Sequence, residues 1–384
     1  MSQTAIQEKS LQHSDGVKRA RAAIARERKS PMNIEEVDLD VPRRDEVRVR
    51  MVATGVCHTD IVCRDGFPVP MPIVLGHEGA GVVEEVGAGV TSLSVGDHVL
   101  LSFNSCGHCA NCESYEPAYC HHFMRLNFGG HRPDDGRSPI SQEGHLVHGN
   151  FFGQSSFASH ANVRARNAVR IERSLPLATL AALGCGIQTG AGAVMNSLKV
   201  RAGRSIVVFG AGAVGLSAVM AAKAIGVGAV VVVEPNASRR ELAIELGATA
   251  AVDPRDGRDT LAAVRVAGGG AGVDYALDTT GIPALAALAV EALLPNGQLG
   301  LLGIPPPDAP MPMSIMSLYV KGLGVKCIVE GDSDPQVFIP QLLDLYKNGK
   351  LPVERLIKTF SFEQVNEAMA ASERGEVIKP VLVF

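Results

Sequence analysis

Four cysteines crowd into one short stretch: Cys106, Cys109, Cys112 and Cys120. Two residues separate each of the first three, and seven separate the third from the fourth. Zinc favours four tetrahedral thiolates, and Cys-x-x-Cys steps let a short loop wrap one ion with no core behind it. Two disulfides or a redox pair are the rival chemistry. The second Cys-x-x-Cys step and the absence of a secretory pattern favour zinc. His108, His121 and His122 lie nearby, but four thiolates already fill the shell, so these histidines are expected in solvent or behind the ligands.

A second stretch with chemistry in it is GAGAVG, Gly210 to Gly215. The apolar run Ser205–Phe209 feeds it and the helix-like LSAVMAAKAIG leaves it, the context in which a GxGxxG pattern binds a dinucleotide. Gly210 allows the tight turn, Gly212 lets backbone approach a pyrophosphate, and Gly215 lets helix and strand pack closely. Free N–H groups at the helix start would face the phosphates. Gly210, Gly212, Val214 and Gly215 are therefore the expected cofactor contacts. Glu234 closes the next apolar run, AVVVVE, 19 residues after Gly215. A carboxylate there bonds ribose hydroxyls and repels a 2′-phosphate, which predicts NAD over NADP. Arg239, counted with the cofactor residues, and Arg240 would soften that preference unless they are solvated helix charges.

The elements that must position these groups fall into two patterns. From Arg19 the chain reads as short strands and turns: ARAAIAR, the alternating VRVRMVATG, a short helix in CHTDIVCRDG, and a strand in VGDHVLLSF. From Arg204 it becomes α/β, with apolar runs near Ser205, Ala229, Ala250, Val273, Gln298 and Gly324. Six such runs predict a doubly wound parallel sheet. After Glu330, a helix in PQVFIPQLLDLYKNG and a last strand, KPVLVF, are expected to return to the first region. The predicted organisation is a solvated extension over 1–18, a catalytic unit of 19–186 plus 330–384, and a cofactor domain over 187–329 inserted between them.

Bulk properties agree with an enzyme of two ordinary domains. The chain has 384 residues, net charge −4 and 20% charged residues. No basic excess points to nucleic acid, and no apolar run of about 18 residues points to a membrane span. MSQTAIQEKSLQHSDGVKRARAA lacks the apolar core of a signal peptide, so a cytoplasmic protein is expected.

Composition alone does not connect Cys57, His77 and Cys185. The segments GVCHTD, GHEGAG, the four-cysteine loop, GCGIQTGAG and GAGAVG do, because together and in this order they resemble the zinc-containing medium-chain alcohol dehydrogenases. The resemblance covers about Arg19 to Phe384. It implies a Rossmann-type sheet inserted in a β-rich GroES-like catalytic domain, and two zinc ions per subunit. Cys57, His77 and Cys185 would hold the catalytic zinc, with Glu78 as a neighbouring carboxylate and Asp60 orienting the histidine. Thr59 would accept the alcohol proton, His58 would contact the cofactor pyrophosphate, and Thr189 would lie against the nicotinamide. The chemistry implied is reversible oxidation of a small alcohol to its aldehyde, with zinc as Lewis acid and NAD as oxidant. Relatives are homodimers or homotetramers, and GLGVKCIVEG is a candidate edge strand for such pairing.

One position departs from the family. Many members carry a proton-relay histidine five residues after the first zinc cysteine; here it is Val62. Protons must leave through ribose, His58 or water, and the pH–rate profile should lack a relay-histidine contribution. Within the family, CGIQTGAGAV, FFGQSSFA and Val62 are most similar to the aryl-alcohol (benzyl-alcohol) dehydrogenases, with Phe103 and Phe128 as candidate pocket residues. A general or terpene alcohol dehydrogenase, a thiol-dependent formaldehyde dehydrogenase, and a zinc-stabilised binding protein without turnover are the alternatives. Cys63 and Cys327 are expected as buried apolar packing.

Overall fold

The computed structural model describes residues 16–306, 308–311 and 313–384, so most of the proposed N-terminal extension lies outside the described residues. The first half builds two antiparallel-type sheets. In one, Lys18–Ala25 lies between Ile73–Val74 and Asn33–Leu39, followed by the hairpin Ile140–Gln142 and His145–Val147. The other is centred on Glu46–Gly55, which pairs with Gly79–Val86, with His160–Arg164 and with the C-terminal strand Lys379–Val383. KPVLVF thus returns, as expected, to the sheet that the first half began. The helix of CHTDIVCRDG is α1 (His58–Asp65), leaving directly from the end of Glu46–Gly55. The apolar stretch around Cys185 breaks there, and α2 (Gly186–Gly192) starts with the cysteine as its N-cap.

The third sheet is parallel. Its strands, labelled in chain order, are β1 (Ser205–Phe209), β2 (Ala229–Val233), β3 (Ala250–Val252), β4 (Val273–Asp278), β5 (Leu293–Leu301) and β6 (Gly324–Cys327). They lie in the order β3-β2-β1-β4-β5-β6, the arrangement of a dinucleotide-binding doubly wound sheet. All five residues of β1 are buried, because a strand covered by helices on both faces has no polar side. Helix α3 (Ala213–Ala224) follows β1 and is apolar nearly all round, with eight of its residues buried. Helix α4 (Ala237–Leu246) follows β2 and is capped by Asn236, whose side chain accepts from the Arg239 N–H.

Beyond the parallel sheet, α5 (Pro335–Lys347) packs Phe338, Ile339 and Leu342 into the same core as α2 and α3. Among the described residues no single helix is long and apolar enough to cross a membrane. The bent pair Leu177–Gly184 and Gly186–Ser197 passes on length and composition only together, and its residues are mostly buried core. Cys63 is buried as expected, whereas Cys327 is exposed, not packed. It ends β6, which among the described residues is the last strand of its sheet.

Candidate active site

Three separate elements bring Cys57, His77, Glu78 and Cys185 together, with one ligand-type atom from each within 4.8 Å of the others. Cys57 is the N-cap of α1, Cys185 is the N-cap of α2, and His77 and Glu78 precede the strand Gly79–Val86. Asp60, fully buried in the first turn of α1, organises the group. Its Oδ2 accepts from the Cys57 N–H at 2.9 Å, and its Oδ1 accepts from the Gly76 N–H at 3.0 Å. The same Oδ1 lies 2.9 Å from His77 Nδ1. With Nδ1–H donated to a carboxylate, Nε2 presents its lone pair. That Nε2 is buried and has no hydrogen-bond partner. An orphaned imidazole nitrogen facing two thiols suits a divalent ion that prefers nitrogen and sulfur, such as zinc.

Charges inside the cluster respond to one another. Its hydrogen bond with Cys185, helped by the nearby Lys379 ammonium, holds Cys57 well below the ordinary thiol range, and the same bond with burial pushes Cys185 up. Burial would lower His77, but Asp60 keeps it well above the usual imidazole range. Glu78 is fully buried, and burial raises its pKa against the pull of Lys379. Lys379 Nζ sits 2.9 and 3.0 Å from the two Glu78 oxygens and donates to Val56 O at 3.2 Å. The Gly186 N–H also donates to Glu78 Oε1, at 3.0 Å. Sequence reasoning missed Lys379; its one signal is a lone charge inside the apolar run KPVLVF.

The remaining expected residues take distinct places. Thr59 Oγ1 is 3.8 Å from Cys57 Sγ, so its hydroxyl faces the cluster, in the first turn after the helix cap at Cys57. His58, next to it, is exposed, and Val62 is half-buried in the same helix. Thr189 Oγ1 reaches Glu330 Oε2 at 3.4 Å. Glu330, also unforeseen from sequence, is buried beside Cys185, and burial pushes its carboxyl up to about 7.

An aromatic wall adjoins His77. Phe152 stacks on the imidazole at 4.5 Å and Phe151 meets it edge-on at 5.6 Å. Phe128 packs on Phe152 at 5.0 Å, and Phe67 and Phe123 extend the wall outward. Phe103 touches this wall through Phe123 but is itself buried in the core. Phe151 and Phe152 went unassigned in the sequence because adjacent aromatics give no hint of which faces a site.

The glycine loop leaves its backbone open. Gly210 has φ +94°, and a Cβ on Gly215 would stand 1.9 Å from Gly210 O, which forces glycine at the crossing of strand and helix. A Cβ on Gly212 would meet nothing within 4 Å, so that stretch of backbone is free for a ligand to approach. Val214 is half-buried in the first turn of α3. Glu234 Oε2 accepts from the Ala211 N–H and Oε1 from the Asn236 N–H, both at 2.8 Å, which places the carboxylate at the loop. Arg239 and Arg240 are not free helix charges. Arg239 donates to Gly375 O at 3.0 Å, and Arg240 pairs with Asp253 at 3.0 Å.

The four-cysteine loop is compact. Cys106 and Cys112 sulfurs are 3.9 Å apart, those of Cys109 and Cys120 are 4.0 Å apart, and all eight cysteines are free thiols. The backbone N–H groups of Cys106 and His122 point at Cys120 Sγ. His108, His121 and His122 are exposed.

Comparison with known proteins agrees with this geometry. Residues 43–173 match the alcohol dehydrogenase GroES-like domain, and residues 213–348 match the zinc-binding dehydrogenase family. A geraniol dehydrogenase from Castellaniella defragrans is 52% identical over 365 residues, 95% of this chain and 98% of that protein. The chain belongs to the zinc-containing medium-chain alcohol dehydrogenases. Among solved structures, a benzyl alcohol dehydrogenase from Acinetobacter calcoaceticus superimposes on the dehydrogenase with TM-score 0.92 at 40% identity, covering 96% of this chain and 99% of that one. An alcohol dehydrogenase from E. coli CFT073, complexed with cofactor NADH, does so with TM-score 0.79 at 25% identity, covering 95% and 99%.

Proposed function

We propose that this dehydrogenase oxidises primary alcohols whose carbinol carbon adjoins an aromatic ring or a carbon–carbon double bond, reversibly and with NAD. The observation that carries the substrate class is the aromatic cluster that starts at His77, whose partly exposed members Phe67, Phe123 and Phe128 offer flat faces that suit a planar ring or alkene. Geraniol and benzyl alcohol, named in the two relatives above, share that chemistry, so the reading spans allylic terpene and benzylic alcohols. In both, conjugation stabilises the aldehyde product.

Cys57, His77 and Cys185 would hold the catalytic zinc, with Glu78 beside them, and Cys106, Cys109, Cys112 and Cys120 a structural zinc, two ions per chain. When bound, the catalytic zinc supplies Lewis acidity that lowers the pKa of an alcohol hydroxyl, and NAD supplies the hydride acceptor. Asp60 fixes the His77 tautomer, and Lys379 keeps the Glu78 charge compensated. Thr59 Oγ1 receives the substrate hydroxyl proton and passes it outward toward exposed His58; Val62 carries none. A Val62→His variant should add an inflection to the pH–rate profile near the imidazole range, about pH 6.5. Gly210, Gly212, Val214 and Gly215 hold the dinucleotide, Glu234 its ribose, and Arg239 and Thr189 flank it. The boundaries that fit this reading are a cofactor domain over 187–329 between catalytic segments 19–186 and 330–384. Ile315, Met316, Tyr319 and Val320, all exposed on the helix that precedes β6, support a homodimer or homotetramer. A cytoplasmic location completes the reading.

NADH formation with benzylic, allylic and straight-chain alcohols, before and after a zinc chelator, tests the proposal. Chelator-sensitive turnover strongest on benzyl, cinnamyl or geranyl alcohol is expected. Preference for straight chains would discard the substrate class while keeping the reaction, and a higher specificity constant with NADP would overturn the role of Glu234.

A further inference from the structure

The turn Glu330–Gly331–Asp332 runs with all three residues at positive φ, 49°, 65° and 51°. Left-handed backbone at two non-glycine residues persists only where the surroundings over-determine it. Here the turn is pressed onto α2: a Cβ on Gly192 would stand 2.3 Å from Gly331 O, and one on Gly331 2.5 Å from Gln188 O. From outside, Tyr119 Oη donates to Asp332 Oδ1 at 2.6 Å, and Lys326 pairs with the same carboxylate. The conformation drives the Glu330 side chain inward, leaving the residue 8% exposed.

Apart from the pull of the His77 imidazole across the cluster, no cationic side chain pairs with its two oxygens. Oε1 is 3.6 Å from Cys185 Sγ, and Oε2 accepts from Gln188 Nε2 at 3.2 Å and Thr189 Oγ1 at 3.4 Å. Among the ion pairs of the described residues none involves Glu330, whereas the fully buried Glu78 has Lys379. A buried carboxylate without an opposite charge is costly, so a cation supplied by a ligand would be favoured there.

The position tells which ligand. Ile328 and Val329, just before Glu330, line a cavity of ≈ 390 Å³ that also touches Asp278, Gly303 and Ile304. It runs past the carboxyl ends of β4, β5 and β6, where open α/β sheets bind ligands. Glu330 therefore stands between that strand-end cavity and the Cys57, His77 and Cys185 cluster. A dinucleotide lying across the strand ends must bring its reactive ring past this carboxylate to reach the cluster.

We propose that Glu330 is the counter-charge of the oxidised nicotinamide ring, and that it thereby sets this protein's relative affinity for NAD⁺ and NADH. The inference rests on the NAD reading above. The oxidised ring carries a positive charge and the reduced ring none, so a fixed carboxylate in a low-dielectric pocket favours the oxidised form.

The test uses the zinc-loaded protein and its Glu330→Gln variant, with NAD⁺ binding measured by calorimetry and NADH binding by the fluorescence of the dihydronicotinamide. NAD⁺ affinity is expected to fall roughly tenfold in the variant, with NADH affinity unchanged or improved. Equal changes for both forms, an unchanged ratio, or loss of zinc from the variant would overturn the proposal. Should Glu330→Gln not fold, Glu330→Asp, which draws the charge back by one methylene, is read in the same way at smaller amplitude. Failure of the unsubstituted protein to bind either form would instead overturn the NAD reading itself.

Discussion

The two cysteine-bearing clusters of this molecule are assembled in opposite ways. One takes four thiols from a single loop, residues 106–120, with three of the cysteines half-buried and exposed histidines around them. The other collects Cys57, His77, Glu78 and Cys185 from three elements and buries a carboxylate–lysine pair and Asp60 beside them. A local loop needs only its own spacing to bring ligands together. A dispersed cluster needs the fold, and it can then surround its ligands with groups that tune them. The difference teaches that the local site is suited to holding structure, and the dispersed one to doing chemistry.

The largest expected effect comes from removing one of the residues proposed to hold the catalytic zinc. His77→Ala should cost roughly 10³-fold or more in turnover, the size of several kcal/mol of Lewis-acid stabilisation. Circular dichroism should stay native, and metal analysis should show one zinc fewer than in the unsubstituted protein. Cys112→Ser is the matching change in the loop. It should also lose one zinc, yet its main effect should be a lower thermal midpoint, with near-normal turnover by the fraction still folded. If Cys112→Ser abolished turnover in fully folded protein, the division between the clusters would fail.

Asp60→Asn sharpens the comparison further, because the loop has no counterpart to this residue. The change should weaken metal affinity or activity about 10- to 100-fold, through the orientation and basicity of His77. The smallest effect should come from Tyr119→Phe, which cuts the hydrogen bond from the four-cysteine loop to Asp332. A loss of about 1 kcal/mol in stability is expected from urea unfolding. A change in substrate KM larger than twofold would mean that the two regions are coupled through the Glu330–Asp332 turn.

Much of the fold was legible because its signals are local. The six apolar runs each became a strand of the parallel sheet, the central ones because strands covered on both faces need apolar residues throughout. The short helix after Cys57 also lies where the sequence predicts it. Cys327 was misjudged: a cysteine in an apolar run looks like core, and only the strand order shows it to end the last strand of its sheet.

By itself, the sequence determined the glycine loop with its acid, the spacing of the four thiols and the order of the two structural patterns, each of which acts over a few residues. Only the tertiary structure decided that Lys379 faces Glu78, that Phe152 stacks on His77, and that a left-handed turn buries Glu330 beside Cys185. These contacts join residues up to 301 positions apart. Their energies depend on burial and charge compensation, and neither exists until the sheets have closed around them.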